Sequence, residues 1–120
     1  MPQRTARSVI EAQRLLISTA DVTVREAAVL MKLKGVGALL VVDDERLTGI
    51  FTERDALFRV IAPGLDPDRT RLAQVMTRDP RVIEPDRPFG HALHLMYEGG
   101  FRHVPVVENG RPIGVVSARD

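Results

Sequence analysis

This 120-residue chain repeats itself, and that constrains its fold more than any other feature. Shifted by about 65 positions, Val22–Asp55 falls on Arg87–Asp120 without a gap, and roughly ten of some 34 positions are identical. The matches are Ala27/Ala92, Leu30/Leu95, Met31/Met96, Gly35/Gly100, Val41/Val106, Val42/Val107, Arg46/Arg111, Gly49/Gly114, Arg54/Arg119 and Asp55/Asp120. Several differences are conservative, as in Ile50/Val115, Thr52/Ser117 and Asp43/Glu108. Coincidence is a poor account of this agreement, so one structural unit is used twice.

Each copy reads as a helix, two strands and the start of another helix, which makes the chain α/β. In the first copy Thr23-Val24-Arg25-Glu26 is a capping-box pattern, with Thr23 as N-cap. Ala27, Leu30 and Met31 form an apolar face at helical spacing that runs on to Lys34, and Gly35 supplies the stop. The nearly continuous apolar run Val36–Val42 is read as a buried strand. Asp43–Arg46 is a turn and Leu47–Phe51 a second strand; Thr52 then opens a helix through Ala56, Leu57, Val60 and Ile61 to Pro63-Gly64. The second copy repeats the order: a helix from about Phe89 to Glu98, a stop at Gly99-Gly100, a strand Phe101–Val107, a turn at Glu108-Asn109-Gly110, a strand Ile113–Val116 and the start Ser117-Ala118-Arg119-Asp120. Between the copies, Ala62–Asp68 is a loop and Leu72–Met76 a short helix. Arg81–Glu84 reads as a lead-in strand with Leu15–Ser18 as its counterpart, and Ser8–Ala12 as a short helix docked on the other repeat.

Composition narrows the function. Seventeen basic residues stand against 16 acidic ones, a net charge of +1, so a nucleic-acid binder held by bulk electrostatics is not expected. The absence of cysteine excludes disulfide frameworks, thiolate metal sites and cysteine nucleophiles. No apolar run approaches the roughly 20 residues that span a bilayer, and the N-terminal residues are too polar for a signal-peptide core. A cytoplasmic protein without membrane insertion is expected. No spacing suggests a Ser-His-Asp set or paired carboxylates, and no Gly-rich phosphate loop is present. The chain is therefore not read as an enzyme. His91 and His94, at i and i+3, have no evident third ligand, which favours capping or surface roles over a metal. Met31 and Met96 are core residues, while Arg54 and Arg119 suit exposed ion pairs better than phosphate contacts.

Two segments of the first copy, Gly35-Val36-Gly37-Ala38-Leu39-Leu40-Val41-Val42-Asp43 and Gly49-Ile50-Phe51-Thr52-Glu53-Arg54-Asp55, resemble a cystathionine β-synthase (CBS) repeat. Phe101–Val107 and Gly114–Asp120 resemble the second repeat, and Val75-Met76-Thr77 the lead-in such repeats carry. The likeness covers about Ser8 to Asp120, with repeat one at about 8–62 and repeat two at about 72–120 of one module spanning 1–120. It implies two β-α-β-β-α repeats around a pseudo-twofold axis, a Bateman module of the standalone two-repeat type. It also implies an adenosyl ligand such as AMP, ADP, ATP, NAD(H) or S-adenosylmethionine, with no cofactor required, and a role in signal transduction.

Thr52-x-x-Asp55 and Ser117-x-x-Asp120 are, by pattern alone, the way helices start. The resemblance gives each aspartate a second role, accepting hydrogen bonds from a ribose diol beside the hydroxyl. Arg102-His103 interrupts an apolar strand, either reaching solvent or donating to phosphate. The resemblance implies that one cleft joins Thr52 and Asp55 to Arg81, Val82, Phe101, Arg102 and His103. The other joins Ser117 and Asp120 to Ile17, Val36, Gly37 and Ala38, which carry no charge for a phosphate.

The reading is a regulatory module that senses an adenosyl ligand and acts on an unidentified effector. The alternatives are a ligand-free dimerisation module or the regulatory part of a larger protein. A homodimer is expected, because the faces Ala27-Ala28-Leu30-Met31 and Ala92-Leu93-Leu95-Met96 are each too wide for one neighbour. Asp120 falls where the first repeat begins its last helix, so either a final helix follows or the second cleft lacks that helix dipole.

Overall fold

Hydroxyl caps and glycine stops set the elements of the computed structural model, which describes residues 4–120. Thr5 caps α1 (Ala6–Ile10) through its hydroxyl, which accepts from the Ser8 N–H. A short β1 (Ile17–Ser18) precedes α2 (Val24–Lys34), which Thr23 caps and Gly35 ends in the left-handed conformation at φ 67°. The hairpin β2 (Ala38–Asp43) and β3 (Arg46–Thr52) follows. Thr52 then caps α3 (Glu53–Asp55), which widens without a break into π-helical turns over Ala56–Ile61. Next come α4 (Leu72–Val75), β4 (Thr77–Arg78), α5 (Phe89–Gly99), β5 (His103–Glu108) and β6 (Arg111–Ser117).

The chain forms two compact units. One is Leu16–Asp79. Its four-stranded sheet has the order β1-β2-β3-β4, with β1 parallel to β2 and the rest antiparallel. Leu39, Val41 and Phe51 form a core there with Val24, Ala27 and Met31 of α2 and with Leu72 and Val75 of α4. The other unit joins the segment through Leu15 to Pro80–Asp120. Its β5-β6 hairpin packs with Ala92, Leu95 and Met96 of α5 and with Ala6 and Ile10 of α1. The N-terminal helix thus belongs to the second repeat's core, and α4, which opens the second repeat, belongs to the first's.

The hairpins share one register at the repeat offset. Ala38 pairs with Thr52 and His103 with Ser117, and the pairing slips at Val41/Val42 in one and at Val106/Val107 in the other. Both close through two residues at positive φ, Asp44 and Glu45 in the first, Asn109 and Gly110 in the second.

Several expectations need correction. The strand of the second hairpin starts at His103 rather than Phe101, and that of the first at Ala38 rather than Val36. Arg81–Glu84 is not a strand: Ile83 alone bridges Val106, in a stretch bounded by Pro80 and Pro85, which lack a ladder donor. Its counterpart shrinks to Ile17–Ser18. On α2, Ala27 and Met31 are buried but Leu30 is exposed; on α5, Leu95 and Met96 are buried and Leu93 exposed. The buried part of each helix face is therefore narrower than its apolar part. Among the described residues no helix is long and apolar enough to cross a membrane.

Candidate functional site

Both hairpins deliver a hydroxyl residue to a tight turn that an aspartate closes. In Leu16–Asp79, β3 ends at Thr52, whose N–H donates to Asp55 Oδ2 (3.0 Å) while its hydroxyl accepts from the Asp55 N–H (3.2 Å). This reciprocal box satisfies donors that a helix start otherwise leaves open. Asp55 is only 8% exposed, and among the described residues it and Thr70 are the buried polar ones. Its Oδ1 lies 3.5 Å from both Thr77 Oγ1 and Arg59 Nε. Arg59 in turn donates through Nη1 to the carbonyls of Val75 (3.4 Å) and Met76 (3.2 Å). One carboxylate oxygen is thus held by the turn, and the other meets two loosely placed donors. A carboxylate offers about four acceptor positions, so such an oxygen can take a further donor.

Beside this turn lies the start of β2. The Gly37 carbonyl accepts from the Glu53 N–H (3.1 Å), and Ala38 is Thr52's strand partner. Gly37 and Ala38 are accordingly neighbours of this turn within the unit, while the Val36 N–H donates back to the Met31 carbonyl of α2. Ile17, on β1, is exposed and pairs with Leu40.

The other unit carries the corresponding turn with different company. The Ser117 N–H donates to Asp120 Oδ2 (2.7 Å), and the Ser117 hydroxyl accepts from the Arg119 N–H (3.3 Å). The Arg102 carbonyl accepts from the Ala118 N–H (3.0 Å), and His103 pairs with Ser117. Arg102 is exposed, His103 and Phe101 half-buried, and Asp120, unlike Asp55, exposed. Arg81 and Val82 are exposed just before Ile83, which is tied to β5. Within each unit, then, Gly37 and Ala38 neighbour Thr52, while Arg102 and His103 neighbour Ser117.

Four residues near these turns were given no site role in the sequence. Arg59 could have been found from its i+4 spacing to Asp55, and Thr77 from its place in the lead-in motif. Arg4, whose Nη1 donates to the Asp120 carbonyl (3.0 Å), and Gln13, whose amide meets Val115, carry no periodic or motif signal. Away from the turns, His94 pairs with Glu98 at 2.6 Å on the exposed face of α5, and Arg54 lies over the Phe58 ring at 5.4 Å instead of in the ion pair expected of it.

Comparison with known proteins points one way. The CBS domain profile matches residues 8–62 and again 72–120. A CBS domain-containing protein of Arabidopsis thaliana, CBSCBSPB3, is 40% identical over 115 residues, covering 95% of this chain and 20% of that protein. The chain spans about a fifth of the length of the Arabidopsis relatives it matches. A CBS-domain protein from Burkholderia ambifaria is 34% identical with a TM-score of 0.85, over 94% of this chain and 87% of that one. One from Pyrobaculum aerophilum, solved in complex with AMP, is 27% identical with a TM-score of 0.85, over 95% and 88%.

Proposed function

The chain belongs to the CBS-domain family, with two copies of the repeat, and on that premise we propose that it is a regulatory module sensing an adenosyl ligand. The observation that carries this reading is the hydroxyl-and-aspartate turn made twice, at Thr52–Asp55 and Ser117–Asp120, each with its carboxylate fixed by the turn's own N–H. A carboxylate placed in advance accepts from a vicinal diol without the cost of ordering itself. The AMP held by the Pyrobaculum relative supports the class: AMP, ADP, ATP, NAD(H) or S-adenosylmethionine. Binding would favour one conformation of the protein or of its assembly, and so convert ligand level into a shifted population.

The family resemblance, rather than a measured distance, pairs Thr52 and Asp55 with Arg81, Val82, Phe101, Arg102 and His103, and Ser117 and Asp120 with Ile17, Val36, Gly37 and Ala38. On that pairing the first site is the tighter one for a phosphorylated ligand. Charge-assisted hydrogen bonds from Arg102 and His103 are worth about 1.5–3 kcal/mol each, enough for roughly tenfold or more in affinity. Calorimetric titration with adenosine, AMP and ATP tests this. Asp55→Ala is expected to weaken the tight site for both ligands, and Arg102→Ala to cost more for ATP than for adenosine. Loss of the tight site in Asp120→Ala, with Asp55→Ala unaffected, would reverse the assignment.

A second reading, an interaction module without ligand, is favoured by one observation. Thr52, Thr77 and Arg59 already engage the Asp55 carboxylate, as a purely structural cap would require. If the wild-type protein binds none of the five ligands, this reading replaces the first. Either way the assembly proposed is a homodimer.

A further inference from the structure

We propose that Arg4 and Gln13 are positioning residues for the Ser117–Asp120 turn, so that the N-terminal segment acts as a strap on the second ligand turn; this rests on reading that turn as a ligand contact. The segment lies along its own unit through main-chain bonds. The N–H groups of Ala6 and Arg7 donate to the carbonyls of Arg87 and Pro85 (2.9 Å each), and the Phe89 N–H donates to the Arg4 carbonyl (2.7 Å). Arg7 pairs with Glu108 (2.8 Å) and Asp86 (3.5 Å), and Ile10 packs against Gly114.

The two ends of the strap bracket the turn. Arg4, its guanidinium 4.9 Å from the Phe89 ring centre, donates to the Asp120 carbonyl. Gln13 uses both ends of its amide on one residue: Oε1 accepts from the Val115 N–H (2.7 Å), and Nε2 donates to the Val115 carbonyl. Val115 stands two residues before Ser117 on the same strand.

Repeat symmetry shows what Gln13 replaces. In Leu16–Asp79 the matching strand edge is covered by main chain, with Ile50 paired to Thr77 and Gly49 to Arg78 of β4. Val115 is the repeat mate of Ile50, and Gln13 falls at the repeat position of Arg78. A primary amide carries the donor and acceptor of a peptide unit, so one side chain does there what a strand does in the first repeat. A side chain on rotatable bonds is released more readily than a ladder, because its order is more costly in entropy for each hydrogen bond made. The first turn has a buried aspartate and a covering strand. The second has an exposed aspartate and two side-chain clamps.

Residue-resolved amide hydrogen exchange on the full chain tests the proposal. In Gln13→Ala and in Arg4→Ala, exchange at the Val115 and Ser117 N–H groups is expected to rise by about three- to tenfold, the worth of about one hydrogen bond, while Ile50 and Thr52 stay unchanged. Gln13→Glu, which keeps the acceptor and loses the donor, should fall between, and Arg4→Lys should restore the wild-type rate. In AMP titrations Gln13→Ala should weaken only the site that Asp120→Ala removes. An equal rise at Ile50 and Thr52 would mean general loosening and overturn the proposal, as would an unchanged Ser117. Faster exchange with unaltered AMP affinity at the Asp120-dependent site would overturn the ligand role. Absence of AMP binding in the wild type instead overturns the proposed function, and leaves the clamp to be judged by exchange alone.

Discussion

Asp55 and Asp120 occupy one position of the repeat and meet different surroundings. Asp55 is buried in a reciprocal cap with Arg59 and Thr77 against its free oxygen; Asp120 closes the same turn at the surface. Losing a capping side chain costs about 1 kcal/mol, and burial makes the loss at Asp55 the larger of the two. Asp55→Ala is therefore expected to lower the unfolding free energy by about 1 kcal/mol or somewhat more, and Asp120→Ala by less. Asp55→Asn keeps an oxygen for the Thr52 N–H and should retain most of the stability. Urea denaturation of the three variants checks the order. If Asp55→Asn is as damaging as Asp55→Ala, the pairing with Arg59 holds this residue and the cap does not.

At the scale of elements, the repeated glycine of each hairpin is explained by what lies over it. A Cβ on Gly49 would stand 2.8 Å from Met76 Sδ and 3.0 Å from the Thr77 carbonyl; one on Gly114 would stand 2.7 Å from three carbons of Ile10. In both repeats the strand leaves room for the short segment that opens the other repeat. Gly49→Ala and Gly114→Ala should each cost about 1–3 kcal/mol, as overpacking does. Gly114→Ala should also speed exchange at Val115 by displacing α1, which circular dichroism melts and exchange together would show. The hairpins, their turns and both long helices were legible because caps, glycine stops and continuous apolar runs are local signals. The π-helical widening after Asp55 was not, since Ala56, Leu57, Val60 and Ile61 suit an ordinary helix equally well. The exposure of Leu30 was hidden for a related reason: spacing defines a face, but the neighbours decide how much of it is covered. Arg102 and His103 stand out by residue type, whereas the two aspartates read as helix caps until the family resemblance gives them a second role. Gln13 could not, because a side chain standing in for a strand leaves no periodic trace.

For the whole molecule, the exposed apolar residues decide how it assembles. On α2, Val29, Leu30 and Leu33 remain exposed; on the π-helical segment, Leu57, Phe58 and Ile61 repeat the same i, i+1, i+4 spacing. Leu33 is 76% exposed, Ile61 62% and Phe58 57%. Scattered surface leucines mean little, but two such stripes in one unit are more than a monomer usually leaves in water. With a net charge of +1, there is little self-repulsion to keep copies apart. A homodimer burying on the order of 1,000 Å² or more is expected at micromolar concentration, measured by light scattering. Phe58→Glu together with Ile61→Glu should give a monomer with an unchanged far-ultraviolet spectrum. A monomeric wild-type protein would remove both the dimer and the form of regulation that depends on it. If ligand and assembly are coupled, linkage makes the coupling reciprocal: the factor by which saturating AMP changes the dimer constant must equal the factor by which dimerisation changes AMP affinity, multiplied over the sites of the dimer. Titrating AMP into the wild type and into the Glu variant, and measuring the dimer constant with and without AMP, yields both factors independently. Factors that match in this way and differ from one identify the dimer as the element that the ligand biases, and factors of one mean that the ligand signals through some other contact.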